Sequence, residues 1–183
     1  MLQDDDLERI LGDLSDAEGP PLTDAMVEDA EAALGYRLPE SFVRLLQLKN
    51  GGSVEVSRVP TDEPTSWADD HVSFHHVMGI GYEGGIDGDA GSAYLVEEWG
   101  YPEVGVVIAS DGETAIMLDY SAAGPEGEPR VVWVDVDDDD PEVIELAPDF
   151  DTFLESLVDE EDDEDDEDEI DEERDPDDDE DDR

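Results

Sequence analysis

The chain has 183 residues, 37% of them hydrophobic and 37% charged, with 59 Asp and Glu against eight Lys and Arg for a formal net charge of −51 at pH 7. That length suits one domain with a real core, whereas so negative a surface repels nucleic acid and anionic membranes, both of which are bound mainly through Lys and Arg. Cysteine is absent, which excludes a disulfide framework, a thiolate nucleophile and cysteine-ligated zinc.

In chain order, Met1 to Asp6 has no basic segment followed by an apolar run, so it does not read as a signal peptide. The longest apolar runs, about five residues, fall far short of the ~20 that span a bilayer, and a soluble cytoplasmic protein is expected. Residues 4–14 predict a short helix, with Leu7, Ile10, Leu11 and Leu14 on one face and Asp4 to Asp6 at the positive end of its dipole. After the Gly19-Pro20-Pro21 break, Thr23 caps a helix that buries Val27, Ala30 and Leu34 and stops at Gly35. Pro39 opens the next helix at its first position, Phe42, Leu45 and Leu46 share its buried face, and Asn50-Gly51-Gly52 ends it.

The period then changes to two. Val54 and Val56 alternate with polar residues, as do Val72, Phe74, His76 and Met78. A glycine-rich loop over 79–91 and a short helix over 92–99 follow. Val104 to Ala109 and Thr114 to Tyr120 flank Asp111-Gly112, a type I′ hairpin signal. Arg130 to Val136 and Val143 to Leu146 predict further strands. Pro148 opens a last helix carrying Phe150, Phe153, Leu154, Leu157 and Val158. The fold class expected is α+β: N-terminal helices, a largely antiparallel sheet and a closing C-terminal helix.

Beyond that helix the composition collapses. Residues 159–183 hold 21 acids and two arginines, with Ile170 the one aliphatic side chain. Such a segment cannot offset an ordering entropy of roughly 1–2 kcal/mol per residue, and it is expected to be a disordered acidic tail. The tail carries −19, which leaves −32 of the −51 on residues 1–158. Two readings of that acidic body stay open and are compatible: adaptation to a salty cytoplasm, in which screening shortens to about 3 Å at 1 M, or a surface built to meet a basic partner.

Several motifs occur together in one order. Leu34-Gly35-Tyr36-Arg37-Leu38-Pro39-Glu40-Ser41-Phe42 is followed by Leu45-Leu46 and Asn50-Gly51-Gly52. Glu97-Glu98-Trp99-Gly100-Tyr101-Pro102, Asp111-Gly112, Leu118-Asp119-Tyr120, Gly127-Glu128-Pro129, Val134-Asp135 and Leu146 to Leu154 come after. This ordered set resembles the SUKH superfamily, which includes the Smi/Knr regulators of fungal cell-wall synthesis and many bacterial immunity proteins. The resemblance covers 22–158, leaving 1–21 as an N-terminal extension and 159–183 as the tail. It implies an α+β fold, no catalytic activity and, on the bacterial side, a protein that binds and neutralises a toxin, often a nuclease. Gly35, Leu38, Pro39, Asn50, Gly51, Gly52, Asp111 and Gly112 are its structural motif positions here.

No catalytic or metal constellation competes with that reading. Asp87 to Ser92, with Glu98 twelfth, superficially matches a calcium loop, but Gly91 and Ser92 stand where a ligand and a glycine are required. In one strand His71 and His75 would lie roughly 13 Å apart, too far for one ion. No serine sits in a glycine elbow, and with 59 acids a carboxylate pair arises by chance. Neither a cofactor nor a metal is expected. Trp67 and Trp133 read as core or rim aromatics, and Trp133, between Val132 and Val134, is expected to leave one strand face exposed. Candidate partner contacts are Trp99 and Tyr101 beside the 79–91 loop, and Asp119, Tyr120 and Glu128 around the hairpin loop, where a structural role is the alternative. The expected partner is another protein, with a basic toxin or nuclease as the first choice; the alternative function is a regulatory adaptor of a salty cytoplasm with no toxin partner.

Overall fold

Residues 2–137 and 140–159 are described by the structure, a computed structural model; apart from Asp159, the acidic tail expected beyond Val158 lies outside the described residues. Helix α1 (Asp4–Leu11) forms where the Gln3 N–H donates to Asp6 Oδ2 at 3.0 Å and three acids occupy the first turn. It buries Leu7, Ile10 and Leu11 but stops at Gly12, whose φ of +65° ends the helix short of the expected Leu14. A 3₁₀ turn (Leu14–Asp16) leads to α2 (Asp24–Leu34), capped by Thr23 Oγ1 on the Met26 N–H and closed by left-handed Gly35. Ala30 is fully buried in α2, whereas Val27 and Leu34 are only half-buried.

Helix α3 (Glu40–Leu48) has Pro39 as its N-cap rather than its first residue, and Phe42, Leu45 and Leu46 are all buried. Its last turn closes on Lys49, the extended C-cap, and Asn50 lies one residue beyond it at a bend rather than ending the helix. The alternation at Val54 and Val56 yields no long strand. Instead β1 (Gly52–Ser53) pairs with β4 (His76–Val77), and β2 (Arg58–Pro60) pairs with β3 (His71–Ser73). Val54, Val56, Phe74, Val77 and Met78 are buried between these short ladders, and burial of both Val77 and Met78 breaks the expected alternation. Loop 79–91 folds inward on Ile80 and Ile86 before α4 (Ser92–Trp99).

Strands β5 (Gly105–Ser110), β6 (Thr114–Asp119), β7 (Arg130–Asp135) and β8 (Glu142–Ala147) form an antiparallel meander. Ile108 is an extra residue in β5, and its carbonyl accepts the Met78 N–H at 2.8 Å, so the bulge joins the short ladders to the sheet. The hairpin turns on Gly112-Glu113, one residue later than a turn centred on Asp111-Gly112, because Asp111 N–H already pairs with the Thr114 carbonyl. Trp133 is 2% exposed between fully buried Val132 and Val134, so β7 is covered on both faces, against expectation.

Helix α5 (Phe150–Ser156) is capped by Asp149, which accepts the Thr152 N–H, with Pro148 before the cap. Phe150 meets Phe42 edge-on at 5.2 Å, and Phe153 meets Phe74 in the same way, so α5 ties α3 and the β2–β4 region into one core. Val158 continues past the helix to bridge Arg58. The fold is α+β, and every pairing between the named strands is antiparallel.

Candidate protein-binding site

Strand β6 separates the five candidate contact residues into two groups about 17 Å apart along its length. At the Thr114 end, Tyr101 is 3% exposed and its hydroxyl meets Ser110 Oγ at 2.8 Å and the carbonyls of Gly112 and Thr114. Burial pushes its phenol up from the ordinary value. With its hydroxyl committed to the hairpin, Tyr101 is a strut and not a contact surface. Trp99, the last residue of α4, stays 44% exposed with its ring over Gly112, where a Cβ would stand 2.9 Å from the indole. Gly112 is thus required twice, by its φ of +109° and by Trp99.

At the other end, Asp119 and Tyr120 are also inside, 3% and 2% exposed. Tyr120 stacks on Tyr36 at 4.5 Å and donates to the Arg37 carbonyl at 2.6 Å, fastening the α2–α3 connection to the sheet. Its phenol is raised by burial first and then by Glu128 and Glu31. Burial raises the Asp119 carboxyl, but hydrogen bonds from Ser121 and Arg130 outweigh it and hold the group below its ordinary value. Arg130 reaches Asp119 Oδ2 at 2.7 Å and Glu145 at 3.0 Å.

Only Glu128 of this second group faces solvent. It borders a groove of about 620 Å³ between α1, α3 and α5, with Leu2, Leu7, Val43 and Leu154 on its apolar walls. Glu40, Glu128, Asp149 and Asp151 stand around it. Arg44, the one cation among the described lining residues, is already taken, since its guanidinium donates to Asp4 Oδ1 at 2.8 Å and to the Leu2 carbonyl at 2.7 Å. The Glu128 carboxyl is pushed above its ordinary value by partial burial and then by Asp149, Asp151 and Glu40. A second groove shares Glu40, Val43 and Glu128 and adds Glu31, Glu126 and the cation Arg37. Apart from α1, the elements that assemble this surface are those of the ordered motifs. A model of the SMI1/KNR4 family (SUKH-1) matches residues 21–156.

The chain belongs to that family. No curated protein and no solved structure matches it. Within the SUKH domain three of the motif positions set the approach to the groove. Gly35 ends α2 in the left-handed conformation, Leu38 is buried, and Pro39 caps α3, so that Glu40 arrives at the groove edge. Asn50 is 3% exposed; its Nδ2 donates to the Pro20 and Ile80 carbonyls at 2.7 and 2.8 Å, and its Oδ1 accepts the Ile80 N–H. It clamps three segments together instead of stopping a helix. Gly51 and Gly52 follow with φ of +82° and +125°.

Sequence reasoning gave no structural role to Lys49, the only lysine in the chain. Its ammonium is fully buried, donates to the Leu11 carbonyl at 3.3 Å and the Ser53 carbonyl at 2.7 Å, and pairs with Asp16. It fixes α1, which precedes the matched region, to the end of α3. Its singularity in so acidic a chain was the available signal. Glu40, Asp149 and Asp151 were passed over as groove residues because they come together with Glu128 only when two separate helices, α3 and α5, pack side by side. Among the described residues, no group of three or more His, Asp or Glu is placed to hold a metal ion, and no helix is long and apolar enough to cross a membrane.

Proposed function

We propose that this SUKH domain is a non-enzymatic protein-binding module of the immunity type, and that the groove between α1, α3 and α5 covers a basic site on a toxin or nuclease. The family is known generally for toxin-immunity and cell-wall-related proteins. The observation that carries the reading is the groove's charge: four carboxylates border apolar walls, and the single arginine there is committed to Asp4. Carboxylates that the fold leaves without a cation are available to a partner's lysines and arginines, and the apolar walls add area that water leaves on binding. The surrounding negative field would speed encounter with a basic partner more than it sets final affinity.

The test is co-expression with toxins encoded beside the gene. Protection of the cells and direct binding are expected, with both lost in a Glu40→Lys, Glu128→Lys double variant that remains folded. Failure to protect against or bind any of those toxins sinks the reading. The adaptor reading has one observation in its favour, namely that −32 is spread over residues 1–158 and is not confined to the groove. It requires binding to a regulatory partner that survives the same double substitution.

A further inference from the structure

The groove leaves unexplained the three tryptophans of the chain, which converge on the opposite end of the sheet. Trp67 and Trp133 line one cavity of about 150 Å³ with His75, Asp111 and Thr114. Trp99 lies against Gly112, the next residue of the same hairpin. Trp133 is buried, while Trp67 is 49% exposed. The backbone around Trp67 is held in place although the side chain is half exposed. Thr65 Oγ1 accepts the backbone N–H of Trp67 at 3.2 Å and that of Ala68 at 3.1 Å, the Ser66 hydroxyl donates to Asp135, and the His75 ring stands 6.1 Å from the indole at 64°. A large aromatic fixed at the surface of a carboxylate-covered protein is the arrangement of a contact anchor.

Size and charge select the occupant. A cavity of roughly 150 Å³ takes a planar group the size of benzene. Asp111 Oδ1 accepts the Thr114 N–H and hydroxyl at 2.9 Å each, while Oδ2 takes no hydrogen bond among the described residues. Among the described residues, no Lys or Arg lines the cavity. A guanidinium is planar, stacks on an indole face and pairs with a carboxylate through parallel N–H groups; an ammonium is more strongly hydrated and has no flat face. We propose that this cavity receives an arginine side chain of a partner protein, its guanidinium laid against Trp67 and paired with Asp111. The site is separate from the acidic groove and does not depend on toxin neutralisation.

The full chain labelled with ¹⁵N reports directly, because its three indole N–H groups give three signals. It is titrated with N-acetyl-arginine amide, N-acetyl-lysine amide and N-acetyl-phenylalanine amide at matched ionic strength. The arginine amide is expected to shift the Trp67 and Trp133 signals saturably and at lower concentration than either control. Asp111→Asn keeps an oxygen for Thr114, so it preserves the turn, and it is expected to weaken that binding about threefold or more. Trp67→Ala is expected to abolish the saturable shift of Trp133. Equal shifts with the lysine amide, stronger shifts with the phenylalanine amide, no saturable shift, or a response retained in Trp67→Ala would each overturn the proposal. No toxin enters this experiment, so its outcome is read independently of the groove.

Discussion

The two ends of α3 treat carboxylates in opposite ways. Beyond its C-terminus, Asp16 meets the buried Lys49 ammonium and the Ser53 hydroxyl, and these hold its carboxyl below the ordinary value. At its N-terminus, Glu128 stands among Glu40, Asp149 and Asp151 and is pushed the other way. The chain has only eight strong cations for 59 acids, so a cation beside a carboxylate is a scarce placement. Lys49 is used to close the fold, as is Arg130 at Asp119, and the one arginine in the groove lining is turned to Asp4. Neutralisation therefore marks where the structure is fastened, and its absence marks where the surface is left for something else.

The largest effect is expected from removing the buried cation. Lys49→Ala strands the Leu11 and Ser53 carbonyls and removes the tie between α1 and α3, for a loss of about 3 kcal/mol in chemical denaturation. An unchanged midpoint would mean that α1 is held by Leu7, Ile10 and Leu11 alone, and that neutralisation is incidental at this end of α3.

Asp119→Asn should cost about 2 kcal/mol, since it weakens a charge-assisted pair at a buried position. The folded-state carboxyl lies below its ordinary 3.8, so its contribution is complete above that pH and is lost as pH falls through the lowered value. The wild-type chain is therefore expected to lose stability more steeply than the variant below about pH 4. Parallel acid limbs would remove Asp119 from the neutralised class. Tyr101→Phe, which leaves the Gly112 and Thr114 carbonyls without their hydroxyl, is the uncharged comparison, at about 1 kcal/mol with no dependence on salt.

The helices were legible in the sequence, whereas the contacts that fasten them and most of the open surface were not. Apolar spacing at Leu7, Ile10 and Leu11, or at Phe42, Leu45 and Leu46, follows a helix's own geometry, so local residues suffice to place it. Thr23 and Gly35 announce the bounds of α2 for the same reason. The short ladders failed to follow from Val54 and Val56 because each partner strand, β3 or β4, arrives from more than ten residues away and the pairing is set by the core. Tyr101 and Tyr120 lie beside glycines and charged residues, a context equally suited to a rim; only the fold shows that both hydroxyls are spent on backbone carbonyls. The groove is further still from local pattern, since Glu40, Glu128 and Asp149 meet only after α3, α5 and the loop before β7 have packed.

The smallest effect has the opposite sign and separates the two ends of α3 most sharply. Because the folded-state carboxyl of Glu128 lies above its ordinary 4.5, its ionisation opposes folding: the cost is absent below that pH and grows as pH rises through the raised value. Glu128→Gln removes a negative charge facing Asp149, Asp151 and Glu40, so at neutral pH and low salt it should stabilise the chain, by about 0.3 kcal/mol given solvent screening at an exposed position. In molar KCl, where the screening length is about 3 Å, that gain should vanish while the Lys49→Ala loss persists, and the wild-type melting temperature should itself rise. The same variant should associate more slowly with a basic toxin. A Glu128→Gln chain that is less stable at low salt would show the groove carboxylates to be part of the fastening, and the contrast between the two ends of α3 would be gone.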